Sequence, residues 1–240
     1  MLFRSVHAPD PPKPEAVPAN SWRRMSRIAR FAAACVAPLG VPADETTALF
    51  FGTGAGEFSS TASFLRTFIA KGAAGASPLL FQNSVHNATP GHLSMIFGLR
   101  GPSETVCAGG MTSLRLLERA LAWVTVRGLP AIVVAADDLG PDVETGWRYG
   151  GAAAPMGEGA AALLLVPEGG VPIRWEDGEP TASDWERAGP WPGDPPHRSV
   201  GMAHDRRLGL FAAVDLVAVA ACVRSAGGVV GFGGTRVVVG

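Results

Sequence analysis

Cysteine is rare in this sequence, and charge of one sign is not in excess. Three of the 240 residues are cysteines, and the formal net charge is −1. Cys35, Cys107 and Cys222 are far apart and form neither a C-x-x-C pair nor a zinc-ligand spacing with histidine, so neither a disulfide framework nor a metal site is indicated. Without a basic excess the chain has no face that would neutralise phosphates, which argues against nucleic acid as a partner.

The sequence also lacks long apolar runs and a complete nucleotide-binding loop. No run reaches the roughly 18 residues that a membrane-spanning helix needs, and residues 1–20 lack the apolar core typical of a signal peptide. We therefore expect no membrane span and a cytoplasmic location. Gly52-Thr-Gly-Ala-Gly56 follows an apolar run, but Glu57 occupies the third glycine position of a dinucleotide-binding motif. No cofactor is therefore predicted.

The apolar residues that are present follow two periodicities. They make up 47% of the chain, which is enough for one domain with a full core. Short continuous runs predict buried strands at 46–51, 104–108, 131–136 and 160–166. Helical spacing predicts helices at 26–39, 59–70, 91–98 and 112–128. This alternation indicates an α/β layered fold whose sheet is covered on both faces.

The two ends of the chain differ from this regular middle part. Residues 1–22 read as an N-terminal extension, and residues 23–240 as a single domain. Within that domain, residues 171–203 read as an irregular Trp/Pro-rich excursion, whose tryptophans either form a surface for a partner or pin the loop to the domain. Residues 204–240 then return to order, with a predicted helix at 208–223 and a terminal strand at 229–239 that bends at its glycines.

Four segments, in the same order along the chain, resemble the β-ketoacyl synthases of the thiolase-like fold. The most specific is Asn87-Ala-Thr-Pro-Gly-His-Leu-Ser-Met-Ile-Phe-Gly-Leu-Arg-Gly-Pro-Ser103, and the others lie within 24–56, 157–166 and 231–236. The resemblance implies a truncated thiolase-like α/β/α fold, made of the N-terminal half and a remnant of the C-terminal half. Within the family, the chain is most similar to the small stand-alone chain-length factors of aryl-polyene-type pathways.

The resemblance also indicates where the family's catalytic cysteine would stand. Gly101-Pro-Ser103 and Leu114 keep the family's spacing, which puts Gly110 at the cysteine position. In the family that cysteine lies at a helix N-terminus, where the helix dipole and backbone N–H groups favour the thiolate. Of the family's two histidines, the first has no counterpart, and Arg206 lies near the second position. No catalytic residue is therefore predicted.

Cys107 leaves an alternative open. It lies three residues before Gly110, and it is either a small apolar residue or the nucleophile of an active acyltransferase. A decarboxylase that needs no thiol is a further form of this alternative. If Cys107 is the nucleophile, the local alignment with the family has to shift by three residues. That shift would take the sulfur away from the helix N-terminus that activates it.

Without the cysteine, the resemblance implies a non-catalytic subunit, a chain-length factor that forms a heterodimer with an active β-ketoacyl synthase. The acyl carrier protein is a further candidate partner. Ketosynthase-like folds pair across a two-fold axis through the strand before the nucleophile. We therefore expect a run of residues around that strand to lie at the partner interface and to bound the acyl tunnel: Glu104, Thr105, Val106, Cys107, Ala108 and Met111. The missing half should also leave an apolar face that needs cover.

Overall fold

The computed structural model describes residues 10–41, 44–108, 111–143, 145, 158–177, 228–232 and 235–240. In this part of the chain the helices are α1 (Ala19–Arg24), α2 (Arg27–Val36), α3 (Phe58–Lys71), α4 (Pro78–Gln82), α5 (Ala88–Phe97) and α6 (Thr112–Arg127). The strands are β1 (Ala48–Gly52), β2 (Ser103–Val106), β3 (Ala131–Asp137), β4 (Gly159–Leu165), β5 (Ile173–Asp177), β6 (Gly228–Phe232) and β7 (Thr235–Val239). None of these helices is long and apolar enough to cross a membrane.

The main sheet has the strand order β2-β1-β3-β4. β1 pairs in parallel with β2 and β3, and β4 pairs antiparallel to β3. Every residue of β1 and β3 is buried. Apart from Asp137 at the end of β3, neither strand has a polar side chain, as expected of strands that are buried on both faces.

Helices cover both faces of the main sheet. One core cluster joins α6 to the sheet through Leu114, Leu116 and Leu117. The opposite cluster joins α2 and α5 to the sheet, and it includes the fully buried Val17 from the segment before α1. The predicted layered α/β architecture is therefore confirmed.

The helix ends follow the capping residues of the sequence. The Ser26 hydroxyl accepts a hydrogen bond from the Ala29 backbone N–H at the start of α2, which satisfies one of the free donors of the first turn. After α6, Gly128 takes the left-handed conformation and donates its N–H to the Val124 carbonyl, as glycine does at many helix C-termini. The four predicted helices and four predicted main-sheet strands are present, with ends shifted by a few residues.

The prediction of an irregular segment from residue 171 was wrong at its start. Ile173–Asp177 forms β5, which pairs antiparallel to β7. Ile173 and Trp175 pack against the α6-side core, and they alternate with the polar Arg174 and Glu176. This is the two-residue period of a half-buried strand, but five residues are too few to indicate a strand without knowledge of its distant partner β7.

Two further differences concern short elements. The terminal segment predicted as one bent strand forms two strands, β6 and β7, which pair antiparallel to each other in a second sheet of order β5-β7-β6. The short helices α1 and α4 were not predicted, because five or six residues are too few to establish a helical period. The predicted helix at 208–223 and most of the 171–203 excursion lie outside the described residues.

Candidate functional site

Three parallel strands end at the same edge of the main sheet. β1 runs into Thr53, β2 into Cys107, and β3 ends at Asp137. The N-terminus of α6 lies beside β2 in sequence, and α6 packs on the sheet. In open α/β folds, binding sites form at this carboxyl edge, so we take it as the candidate site.

Asp137 holds the loop that follows β1. Its Oδ1 atom accepts hydrogen bonds from the Thr53 hydroxyl at 3.0 Å and from the Gly54 backbone N–H at 2.7 Å. The Thr53 Oγ1 atom in turn accepts a hydrogen bond from the Gly56 N–H at 3.0 Å. Because Thr53 and Asp137 are both buried, this loop has a fixed position at the edge of the sheet.

Cys107 lies on the strand side of the turn into α6 and is exposed. Its Sγ atom contacts the Gly54 carbonyl oxygen at 3.5 Å. Partial desolvation raises the pKa of the Cys107 thiol, and the charge of Asp137 raises this pKa further. A catalytic cysteine requires a lowered pKa, so this environment does not favour the thiolate.

The turn into α6 is closed by its own backbone and by one hydroxyl. The Ala108 N–H donates to the Thr112 Oγ1 atom at 3.0 Å, and the Met111 N–H donates to the Ala108 carbonyl at 3.1 Å. Met111 is the N-cap of α6 and packs partly against the α6-side core. Gly110, which stands at the family's cysteine position, lies outside the described residues, as does Arg206.

Five of the six residues expected at a partner interface line one shallow surface groove. These are Glu104, Thr105, Val106, Cys107 and Ala108. The groove is completed by residues of α6: Arg115, Glu118, Arg119 and Ala122. Met111 does not line it. Glu104 forms an ion pair with Arg119 across the groove, so its carboxylate is compensated at the surface.

β2 is an edge strand of the main sheet. Among the described residues it pairs only with β1, and its side chains are half-buried or exposed. Unpaired backbone donors and acceptors on an edge strand can accept another strand. The geometry is therefore compatible with strand pairing to a second subunit, and that role remains a prediction.

Glu57 is a buried carboxyl group just beside this edge. Its Oε1 atom accepts hydrogen bonds from the Ser26 hydroxyl at 2.8 Å and the Thr89 hydroxyl at 2.7 Å, and its Oε2 atom accepts one from Ser60 at 3.2 Å. Burial raises the pKa of Glu57 to about 7, although these hydroxyls oppose the rise. The nearby charge of Asp138 raises it further.

A second buried carboxylate, Glu158, is compensated by Arg27. The Arg27 guanidinium donates to both carboxylate oxygens, at 2.7 Å for Nη2 and Oε1. The Leu139 N–H donates to Glu158 Oε2 at 2.9 Å. Asp138 is also buried, and burial raises its pKa to about 6. Two buried acids, Glu158 and Asp138, thus lie near Arg27 at this edge.

Sequence reasoning did not single out these acids. Asp137 and Asp138 follow a buried strand directly, and Glu158 directly precedes one. From sequence alone, polar residues at the ends of strands are usually assigned to loops, because the distant residues that they contact are unknown. The usable signal was their position next to continuous apolar runs, where a carboxylate has to find a partner within the fold.

The sequence model of the family described as "Beta-ketoacyl synthase, N-terminal domain" matches residues 4–200. The chain belongs to the β-ketoacyl synthase family. The resemblance inferred from Asn87–Ser103 is therefore confirmed. A search of curated proteins found no match.

Solved ketosynthase structures share the fold at low sequence identity. The complex of the ketosynthase ApeO with its chain length factor ApeC from Xenorhabdus doucetiae matches with a TM-score of 0.59 and 18% identity, over 93% of this chain and 81% of that chain. The ishigamide ketosynthase/chain length factor matches with a TM-score of 0.61 and 17% identity, over 92% of this chain and 82% of that chain. The AntDE:AntF complex matches with a TM-score of 0.64 and 13% identity, over 93% of this chain and 85% of that chain. It is a type II PKS acyl-carrier protein in complex with its ketosynthase bound to the hexaketide. The thiolase-like fold is thereby confirmed.

The raised pKa of Glu57 predicts how stability depends on pH. The pKa is 4.5 ordinarily and about 7 in the folded chain, so the folded state keeps a proton that the unfolded state releases between these values. Stability should therefore fall as pH rises through this window, by on the order of 3 kcal/mol for this group alone. Glu57→Gln cannot ionise, and its amide oxygen can still accept the hydroxyls of Ser26 and Thr89.

Thermal melts between about pH 5 and about pH 8 measure this effect. The midpoint of the native chain should drop more across this range than that of Glu57→Gln. Asp138 titrates in both proteins, so the difference between the two curves reports Glu57 together with its electrostatic coupling to Asp138. Parallel curves would show that Glu57 is ionised in the folded chain throughout the range.

Proposed function

We propose that this chain is a non-catalytic ketosynthase-like subunit, a chain-length factor that forms a heterodimer with an active β-ketoacyl-ACP synthase in fatty-acid or polyketide biosynthesis of the aryl-polyene type. The main support for this proposal is that the position of the family's nucleophile has no thiol. The sequence has Gly110 where the family has cysteine, and the neighbouring Cys107 has a raised thiol pKa on the strand side of the turn. Condensation needs an activated thiolate that accepts the acyl chain.

The partner part of the proposal draws support from two sources. β2 offers an unpaired edge within the described part of the chain, and the family resemblance implies two-fold pairing through this strand. In addition, two of the similar solved structures are of a ketosynthase with a chain length factor. A third is of an acyl-carrier protein with its ketosynthase, and the carrier protein remains a further candidate partner.

Cys107 should not take up an acyl group. After incubation with acyl-loaded carrier protein, intact-mass spectrometry should show the unmodified chain, because partial desolvation and Asp137 keep the thiol protonated. The cognate ketosynthase, treated in parallel, should gain a stoichiometric acyl mass. An adduct on the native chain that disappears in Cys107→Ala would establish the acyltransferase alternative.

Val106→Asp should weaken the heterodimer. Val106 lies on the β2 edge strand, and an unpaired charge desolvated in an interface costs several kcal/mol, roughly 2 to 5. The dissociation constant should therefore rise by at least about thirtyfold. Calorimetric titration with the ketosynthase measures it.

Val126→Asp is the matched control for this substitution. Val126 lies in the last turn of α6, is 79% exposed and does not line the groove beside β2, so the same change there should leave both the fold and the affinity unchanged. Because Val106 is half-buried, circular dichroism must first show that the Val106→Asp chain is folded. A folded Val106→Asp chain with native affinity would place the interface elsewhere.

Met111 should influence the length of the product. It is a flexible side chain at the N-terminus of α6, and we expect it to bound the partner's acyl tunnel. Met111→Ala should enlarge the tunnel and lengthen the products, and Met111→Trp should shorten them, with assembly intact in both cases. Mass spectrometry of products from the reconstituted pair measures the distribution. Identical distributions for all three proteins would remove Met111 from the tunnel.

A further inference from the structure

α3 is a surface helix that begins at a buried acid. No residue of Phe58–Lys71 is buried, whereas α2 and α6 each bury one face. Glu57, which directly precedes this helix as its N-cap, is 3% exposed. The buried group that attaches the start of α3 to the rest of the domain is therefore a carboxyl group.

The Glu57 carboxyl group links the starts of three helices. It accepts hydrogen bonds from Ser26, the N-cap of α2, and from Thr89 in the first turn of α5. It also contacts Ser60 in the first turn of α3. Since Ser26 and Thr89 are 31 and 32 residues away in sequence, Glu57 holds the start of α3 against two distant elements.

A second buried acid holds the same turn of α3. The Ser59 hydroxyl donates a hydrogen bond to Asp138 Oδ1 at 3.3 Å, directly after the end of β3. At the other end of the segment between β1 and α3, the Gly54 N–H donates to Asp137 Oδ1. This segment is therefore anchored by carboxyl groups at both of its ends.

The charged groups beside Glu57 do not neutralise it. On the α2 side, the Arg27 guanidinium donates to Glu158 and to Asp10. On the β3 side, the nearby charge is that of Asp138, which raises the pKa of Glu57. Among the residues that the structure describes, the hydrogen-bond partners of Glu57 are hydroxyl groups. A negative charge on Glu57 thus has a second acid near it and no cation bonded to it.

The basic side chains of the other adjoining helices do not supply that cation. His92 in α5 is buried, and burial lowers the pKa of His92, so it is neutral near pH 7. The ring of His86, after α4, lies against Gly56. On α3, Arg66 forms an ion pair with Asp142. A proton on Glu57 itself is therefore what removes its charge.

The hydrogen bonds around Glu57 fit a protonated carboxyl group. In that form Glu57 donates its O–H to Ser60 Oγ and accepts from Ser26 and Thr89 at Oε1, so every polar group keeps a partner. An ionised Glu57 is a buried charge without a bonded cation, which is costly. Moving the carboxylate into water removes that cost. The first turn of α3 can move with it, because no residue of this helix is buried.

We infer that Glu57 is a proton-dependent latch, which holds the first turn of α3 against α2 and α5 when protonated and releases this turn and the preceding loop to water when ionised. The main sheet stays folded in the open form, because neither core cluster includes a residue of 53–60. The loop carries the Gly54 carbonyl that contacts Cys107, so opening also changes one wall of the candidate site. The latch acts in the isolated chain and does not depend on the proposed function.

Hydrogen exchange between about pH 5 and about pH 7 measures this opening. The exchange rates of residues 53–61, divided by the intrinsic rates at each pH, give the equilibrium constant of opening. The pKa of Glu57 is about 7 in the closed form and 4.5 ordinarily, so this constant should rise about thirtyfold over the range. At each pH it should exceed the constant measured for β3. In Glu57→Gln, the rise should be at least about fivefold smaller.

Glu45→Gln is the matched control, because Glu45 lies before β1, at the end opposite Glu57, and its side chain is 77% exposed. Its profile in residues 53–61 should follow that of the native chain. Equal profiles for the native chain and Glu57→Gln would overturn the latch, since opening would then leave the Glu57 carboxyl group buried. The latch also fails if residues 53–61 exchange as slowly as β3, because the segment would then open only by global unfolding. A flat native profile would overturn it without any variant, even if Glu57→Gln does not fold.

Discussion

Burial of β1 on both of its faces is the constraint on which the rest of the structure depends. Phe50 points into the α6-side core, whereas Leu49 and Phe51 point into the core beneath α2 and α5. β1 can therefore exist only between two helical layers. Its parallel pairing with β2 also requires a long crossover, and α3, α4 and α5 form that crossover. The same arrangement brings the carboxyl ends of β1, β2 and β3 to one edge and carries α3 and α4 out to the surface.

The buried acids are a second consequence of this arrangement. Each lies where an apolar strand meets a loop, so its carboxylate cannot reach bulk water and has to be satisfied within the fold. Asp137 is satisfied by backbone and hydroxyl donors, Glu158 by Arg27, and Glu57 by three hydroxyls. For Glu158 the donor carries a positive charge, which offsets the charge of the buried carboxylate. At the same edge, partial desolvation and the charge of Asp137 raise the pKa of the Cys107 thiol.

The sequence was sufficient to predict the main sheet and its layers. Continuous apolar runs such as residues 131–136 and the periodic apolar pattern of α6 leave few alternatives. It was insufficient for β5, whose pairing partner β7 is far away in sequence, because strand pairing at such separation has no local signal. The Glu57 and Asp137 networks were missed for the same reason. Their hydrogen-bond partners, Thr89 and Thr53, come together only after the sheet has formed.

The position of Val237 has a consequence for the order of folding during synthesis. This residue of β7 is fully buried in the α6-side core, although it lies far downstream of β4. A nascent chain that has emerged only as far as β4 holds the four described strands of the main sheet together with α2 and α5. It still lacks Val237, which belongs to the buried core on the opposite side. Chains are made from the N-terminus, and apolar surface that is exposed in partly folded chains promotes aggregation. On the ribosome, the α6 side of the sheet should therefore keep apolar surface exposed longer than the α2 and α5 side. A chaperone that binds the nascent chain would find apolar surface there.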